Sequence, residues 1–417
     1  MYKYLMNGTL IDGTGKNPVE IKGILIKDNR IEKIVLGNED IALSDLENVE
    51  VIDLNKQYIL PGFIDSHVHV MLNFKDTNAK LNQPFSYRFY ESVVNLKNTI
   101  EAGITTVRDA GGADFGIKQA IEDNLIVGPR LKICINPLSI TGGHADGWLP
   151  SGVDTDIWNY PGSPKSMCDG VEDVRKKARE MLRAGADVLK VHATGGVLSP
   201  TDDPQFTQFT IKELQAIVQE GKFRKNIKVM AHAQGTEGII NAVKAGIHSI
   251  EHGIYLNDEA IDLMLQNNVF LVPTLLAPLT VVEKGLANDA GIPEYGLKKA
   301  KEVLEIHKES IRKAYKNGVK IAMGTDAGVM EHGTNLRELG LLCEVGLTPM
   351  EAIVASTKTA AECLEMEEKV GTIEEGKYAD LLIINKNPLQ NISLLEDKKN
   401  IPLIMKDGVI IKNRLCS

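Results

Sequence analysis

The sequence predicts an α/β chain whose middle is a parallel (β/α)8 barrel, with a small β-domain built from both ends. Three observations carry this. Apolar strand-like runs alternate with amphipathic helical stretches through the middle of the chain. Eight such runs are spread over about 300 residues, the span of a closed ring of β/α units. Residues 1–57 and 366–417 have a different texture, with short β-rich runs broken by turn residues. The expected domains are therefore 1–57 plus 366–417, and 58–365.

At the N-terminus, Tyr4-Leu-Met is followed by the turn signal Asn7-Gly8, and Ile24 to Val35 reads as further short strands. The first barrel strand is the apolar run Ile59-Leu-Pro-Gly-Phe-Ile-Asp-Ser-His-Val-His-Val70. Strands near residues 104–108 and 131–136 follow. Val171, Val174, Ala178, Met181 and Leu182 recur at helical spacing, and Gly185 stops that helix. The strand ending in Lys190-Val-His192 comes next. Thr210-Ile-Lys-Glu213 is a capping box that opens another helix. The strand ending in His232 follows it, then a helix stopped at Gly246, then the strand ending in His252. Runs at 269–273 and 319–323 complete the eight. Residues 137–170 and 274–295 lack a strong period and read as long loops on the C-terminal face, where they would shape a site. At the other end, Ala379–Ile384 and Ile401–Ile411 are apolar runs, the second turning at Asp407-Gly408.

Composition narrows the classes. The chain has 417 residues, 43% hydrophobic and 25% charged, which is enough for a core without disulfides. The net charge of -9 argues against a nucleic-acid partner. No stretch approaches the roughly 20 apolar residues of a membrane span, and the N-terminus lacks the charged and apolar regions of a secretory leader. Cys134, Cys168, Cys343, Cys363 and Cys416 are scattered and read as free thiols of a reducing compartment, so the expected location is cytoplasmic, with no membrane partner.

Side chains two apart on a strand share a face, so His67 and His69 aim two imidazoles at one point. The C-terminal strand ends, where barrels carry their chemistry, add Lys190, His232, His252 and, after the eighth run, Asp326 in Gly324-Thr-Asp. Singly, each has an ordinary structural explanation. Five strand ends converging in this way indicate a metal site. Lys190 belongs there if burial favours its neutral amine, which adds carbon dioxide to give an anionic carbamate with two oxygens to bridge two metals. The structural alternative pairs Lys190 with Asp202 or Asp203.

These motifs resemble the metal-dependent amidohydrolase superfamily: Pro61-Gly-Phe-Ile-Asp-Ser-His-Val-His69, Lys190, His232, Ile250-Glu-His252, Gly324-Thr-Asp326 and the closing segment Gly371–Asp380. The resemblance covers the whole chain. It implies a distorted (β/α)8 TIM barrel with a β-sandwich formed by both termini, and a binuclear centre bridged by carboxylated Lys190 and a hydroxide. By the same analogy His67, His69 and Asp326 hold one ion, and His232 and His252 the other. Members of this superfamily often assemble, so a homo-oligomer is expected. Thr141-Gly-Gly-His144 and Lys190–Pro200 are similar to the microbial prolidase and Xaa-Arg/Lys carboxypeptidase branch, which cleaves dipeptides and N-acyl amino acids. The chain departs from that branch at Gln234, where relatives tend to carry Tyr, and at His192, where many carry Met.

The expected reaction is amide hydrolysis of a small-molecule or dipeptide substrate by two divalent ions, with zinc suited to imidazole and carboxylate donors. Asp326 would take a proton and return it to the leaving amine. His144 would stabilise the oxyanion. His144, His192, Gln234 and Arg337 are candidate substrate contacts. His332 divides evenly between pocket and surface, His248 reads as an interior polar group, and His307 as structural. Trp148 and Trp158 are candidate pocket walls or lid packing. Two competitors remain: a one-metal deaminase or imidazolone-type hydrolase, for which Glu237 is in range, and a metal-free binding barrel.

Overall fold

The computed structural model describes every residue except 38, 40, 74–76, 150, 157–159, 288–291 and 416–417, so Trp158 and Cys416 lie outside the described residues. Local signals act largely as the sequence predicts. Thr210 and Glu213 form the reciprocal capping box of the helix Ile211–Phe223. Thr348 and Glu351 form another on Pro349–Ala355. Gly246 closes its helix in the left-handed conformation that only glycine adopts freely. Asp407 and Gly408 both have positive φ, the signature of a type I′ hairpin turn.

The strands in chain order are β1 (Tyr2–Leu10), β2 (Val19–Lys27), β3 (Arg30–Leu36), β4 (Val49–Asp53), β5 (Tyr58–Pro61), β6 (Phe63–Val68), β7 (Ile104–Asp109), β8 (Arg130–Ile133), β9 (Leu189–His192), β10 (Val229–Ala233), β11 (Ser249–His252), β12 (Phe270–Val272), β13 (Leu381–Ile384), β14 (Leu403–Lys406) and β15 (Val409–Asn413). They form an α/β structure of two compact units: Met1–Asp65 with Lys97–Thr106 and Gly333–Ser417, and Ser66–Leu96 with Val107–His332.

The first unit holds an eight-stranded sheet ordered β15-β14-β13-β5-β1-β2-β3, with β4 also on β1, so both chain ends meet in one sheet. The alternation of β1 and β2 sends Leu5, Ile24 and Ile26 into one apolar layer and Tyr4 and Leu25 into another. A side chain at Gly23 would strike the Tyr4 ring, so that position has room only for hydrogen.

The second unit contains the parallel sheet β12-β11-β10-β9. β6 and β7 start in the first unit and end in the second, within a three-stranded sheet ordered β6-β7-β8. Single-residue bridges join Leu138 to Val191, Leu271 to Ile321 and Val68 to Ala327.

Three local expectations change. Asn7-Gly8 makes no turn. β1 runs through it because Asn7 accepts a positive φ and Gly8 lies flat against Ile59 and Leu54. Residues 319–323 form no regular strand; they bridge to Leu271 at Ile321, and the Met323 carbonyl accepts from the Ser66 amide. Residues 274–295 are not all loop, because Leu276–Leu286 is a helix. Its Leu276, Ala277, Thr280 and Val281 are all buried, so the segment lacks the polar face that gives a helical period. Among the described residues no helix is long and apolar enough to cross a membrane, and Cys134, Cys168 and Cys343 are free thiols.

Candidate active site

His67, His69, Lys190, His232, His252 and Asp326 all line one cavity of about 380 Å³ in the second unit, as do His144, His192 and Gln234. His67 and His69 place their Nε2 atoms 3.5 and 3.3 Å from Asp326 Oδ1. The His67 and His252 ring centres are 5.1 Å apart, and those of His252 and His232 are 4.6 Å apart. The imidazoles therefore run as a continuous row.

The protein fixes how each ring is turned. His67 Nδ1 is 2.8 Å from Glu251 Oε2, His69 Nδ1 is 2.9 Å from the Gly111 carbonyl, and His232 Nε2 is 2.9 Å from the Gly195 carbonyl. Carbonyls and carboxylates only accept, so those ring nitrogens donate, and the opposite nitrogen keeps its lone pair. His252 Nδ1 pairs with Thr274 Oγ1 at 2.6 Å. Each imidazole thus commits one nitrogen to the fold and keeps the other, the usual arrangement around a metal.

Behind the rings lies a closed polar network. Glu251, fully buried, also accepts from Arg108 Nη2 at 2.9 Å and Ser249 Oγ at 2.6 Å, and Arg108 Nε donates to the Ser66 carbonyl at 2.7 Å. A buried ion pair is tolerable only when its remaining hydrogen-bond capacity is used in this way. Asp109 accepts from the backbone amides of Val70, Gly111 and Ala113, which pins the turn that offers the Gly111 carbonyl to His69. His332 and His307 donate to the carbonyls of His69 and His252. His332 is therefore buried under the site, not on the surface, and His307 lines the cavity as well as packing in its helix.

Burial holds the His67, His232, His252 and His192 pKa values well below the ordinary imidazole range, so these rings are neutral, the form that ligates metal. Burial opposes the charged form of His69 too, but the Asp326 carboxylate outweighs it and raises that pKa. For Asp326, burial alone would favour the neutral acid. His67, His69 and Lys190 reverse this and hold it far below the usual carboxylate range. Desolvation, partly offset by Glu251, lowers the Lys190 pKa, so its amine is closer to the reactive form. Asp202 pairs instead with Ser199, Gln208 and His144.

Backbone strain is concentrated at the ligands. His252, Thr274 and Asp326 have φ of 74°, 54° and 64°. This strain redirects a side chain against the strand's alternation. On β11 the inward residues are Ser249 and Glu251, and His252 reaches the cavity because the chain twists at the strand end. His248, of the opposite parity to Ser249, is half-buried against the Phe270 ring, not an interior group.

Of the candidate substrate contacts, Gln234 and His192 are buried with Oε1 and Nδ1 lacking a hydrogen-bond partner. His144 reaches in from the 137–170 loop. Its Nδ1 is 2.9 Å from Ser199 Oγ, and its ring stacks on His232 at 4.3 Å. Lys299 steadies that wall through the Gly196 and Ser199 carbonyls. Arg337 lies in the first unit, half-buried in the helix Arg337–Glu344, and does not line the cavity. Trp148 is 49% exposed and Glu237 is exposed, and neither lines it.

Sequence reasoning missed Glu251, Arg108, Asp109 and Thr274. A charged residue inside an apolar strand, as in Thr-Val-Arg-Asp109 and Ser-Ile-Glu251, was the available signal. Two expected results follow. Glu251→Gln should weaken metal binding about 10- to 100-fold, read by chelator competition. At Gly196 a methyl group would lie 2.2 Å from the His144 ring, so Gly196→Ala should displace that ring and, in bicarbonate, lower kcat with metal content unchanged.

The chain belongs to the amidohydrolase family, whose model matches residues 58–411, and it is a hydrolase acting on carbon-nitrogen bonds of the amide type. It is 32% identical over 420 residues to ochratoxinase of Aspergillus niger, covering 97% of this chain and 85% of that one. It is similar to the solved structure of a Xaa-Pro dipeptidase with methionine bound in its active site, at 35% identity and TM-score 0.88, covering 99% of this chain and 100% of the other. It is equally similar to a prolidase complexed with N-methylphosphonate-L-proline, at 32% identity and TM-score 0.91, with coverage of 99% and 100%.

Proposed function

We propose that this protein hydrolyses dipeptides or N-acyl amino acids with two divalent metal ions, zinc by preference, in a (β/α)8 TIM barrel. The single observation that carries the reading is the set of imidazoles, each with one nitrogen committed to the protein, facing one cavity with Asp326 and Lys190. Nitrogen and carboxylate oxygen donors suit zinc. His67, His69 and Asp326 would hold one ion, and His232 and His252 the other. Lys190, carboxylated by carbon dioxide, would serve both. The bridges at Leu138, Ile321 and Ala327 support the barrel reading, because each is parallel and adds a neighbour to β9, β12 or β6. The two apolar layers of the terminal sheet support a β-sandwich.

When bound, such ions polarise an amide carbonyl and make hydroxide available from water at neutral pH. Asp326, held ionised by its surroundings, accepts the proton of the attacking water and passes it to the departing nitrogen. His144, anchored at Nδ1 by Ser199, would stabilise the developing oxyanion through its other ring nitrogen. Gln234 and His192 offer unpartnered buried atoms to the substrate.

The cavity wall selects among amides. Leu72, Val197, Leu198, Ile254, Val281 and Val329 line it, and Asp326 is its one carboxylate among the described residues. No acid is left to pair with a substrate guanidinium or ammonium, and burying such a charge unpaired is costly. Apolar and prolyl substrates are therefore favoured over Xaa-Arg and Xaa-Lys. With zinc and bicarbonate, N-acyl-leucine, N-acyl-phenylalanine and Xaa-Pro should exceed Xaa-Arg in kcat/KM by at least about tenfold. The reverse order would contradict this account of the pocket. Dialysis against a chelator should abolish turnover, and added zinc should restore it. Persistent activity without metal would refute the mechanism. The deaminase reading gains nothing from Glu237, which is exposed.

A further inference from the structure

The cavity contains a second cluster of imidazoles, of which the two-ion assignment uses only His232. One nitrogen each from His144, His192 and His232 lies within 4.8 Å of the others. The His192 ring centre is 4.9 Å from that of His144 and 5.2 Å from that of His232. His192 follows Lys190 on the same face of β9 and pairs in register with His232 on β10. Its Nδ1 is buried without a partner.

The geometry points to a resting position for the second metal ion among His144, His192 and His232, filled while Lys190 carries no carbon dioxide. This rests on the two-ion reading above. His232 commits Nε2 to the Gly195 carbonyl, so it has one lone pair to give, at Nδ1. An ion on His232 therefore sits either with His144 and His192 or with His252 and Lys190, never with both. Without carbon dioxide, Lys190 offers no oxygen, and the His252 side supplies two imidazoles and an amine. The other side supplies three imidazoles, the protein complement of an open zinc site.

Carboxylation reverses the balance. The Lys190 amine nitrogen attacks the carbon of carbon dioxide, a nitrogen–carbon bond forms, and one carbon–oxygen π pair moves to oxygen. The proton leaving nitrogen goes to water. A neutral amine thus becomes an anion with two oxygen donors, and His232, His252 and Lys190 would then hold the second ion. Carbon dioxide acts as the switch between a resting and a working arrangement, and His192 creates the resting one.

Metal-free protein would be loaded with cobalt(II) under carbon dioxide-free gas and, separately, in bicarbonate. Bound cobalt is counted by equilibrium dialysis and followed by its visible spectrum. The natural chain should bind about two ions per chain in both conditions, with different spectra. His192→Leu and His144→Ala should bind about one without carbon dioxide and about two with bicarbonate, the latter also showing that the fold is intact. Retention of the second ion by both variants without carbon dioxide overturns the proposal, as does a natural chain that binds only one ion there. If His192→Leu binds no cobalt in either condition, His144→Ala, a partly exposed loop position, decides alone. A natural chain that binds one ion even in bicarbonate refutes the two-ion reading itself, a separate result from failure of the resting site.

Discussion

Replacing Lys190 with alanine should abolish amide hydrolysis while the chain still folds. Lys190 is buried at the end of β9 and faces the same cavity as all four candidate imidazole ligands. Its loss removes the one group able to give oxygen to both ions, so the cost should exceed the roughly 10²–10³-fold cost of deleting one oxyanion donor. Glu251 keeps Arg108, Ser249 and His67 as partners, so no charge is stranded and the thermal midpoint should fall only a few degrees. Added acetate or propionate supplies a two-oxygen anion to the vacated space and should restore part of the activity. Turnover near that of the natural chain would remove the carbamate from the mechanism.

Asp326→Asn should lower kcat by about 10²–10⁴-fold, the usual contribution of positioned proton transfer, with a much smaller change in KM. Asparagine is chosen for a structural reason. Position 326 has φ of 64°, which Asn tolerates and Ala does not, so the variant tests the carboxylate and not the backbone. Equal losses in kcat and in bound metal would reassign Asp326 from proton carrier to ligand alone.

Much of the site was legible because strand chemistry is one-dimensional. His67, His69, Lys190 and His232 each end an apolar run, and the end of a parallel strand fixes both their level and their face. What pairs across strands was not legible. Nothing in the order of residues says that Arg108 on β7 reaches Glu251 on β11, or that Asp109 pins the carbonyl that turns His69. His252 was singled out as a strand end, but strand alternation alone would turn it away from the side of Ser249 and Glu251, and its positive φ brings it inward. The fold shows the same division. The Thr210–Glu213 capping box and the Asp407-Gly408 hairpin depend on near neighbours and read directly. The buried helix Leu276–Leu286 has no polar face to betray it, and the segment before Gly324 pairs too briefly to make a strand. Arg337 was drawn in by the need for a cation near a carboxylate, yet the cavity lining does not include it.

The central claim is tested most directly by metal and carbamate content of one sample. Protein purified with zinc and carbon-13 bicarbonate should hold about two zinc ions per chain and one carbamate resonance that Lys190→Ala abolishes. One ion or none, or a carbamate signal that survives the substitution, would contradict it.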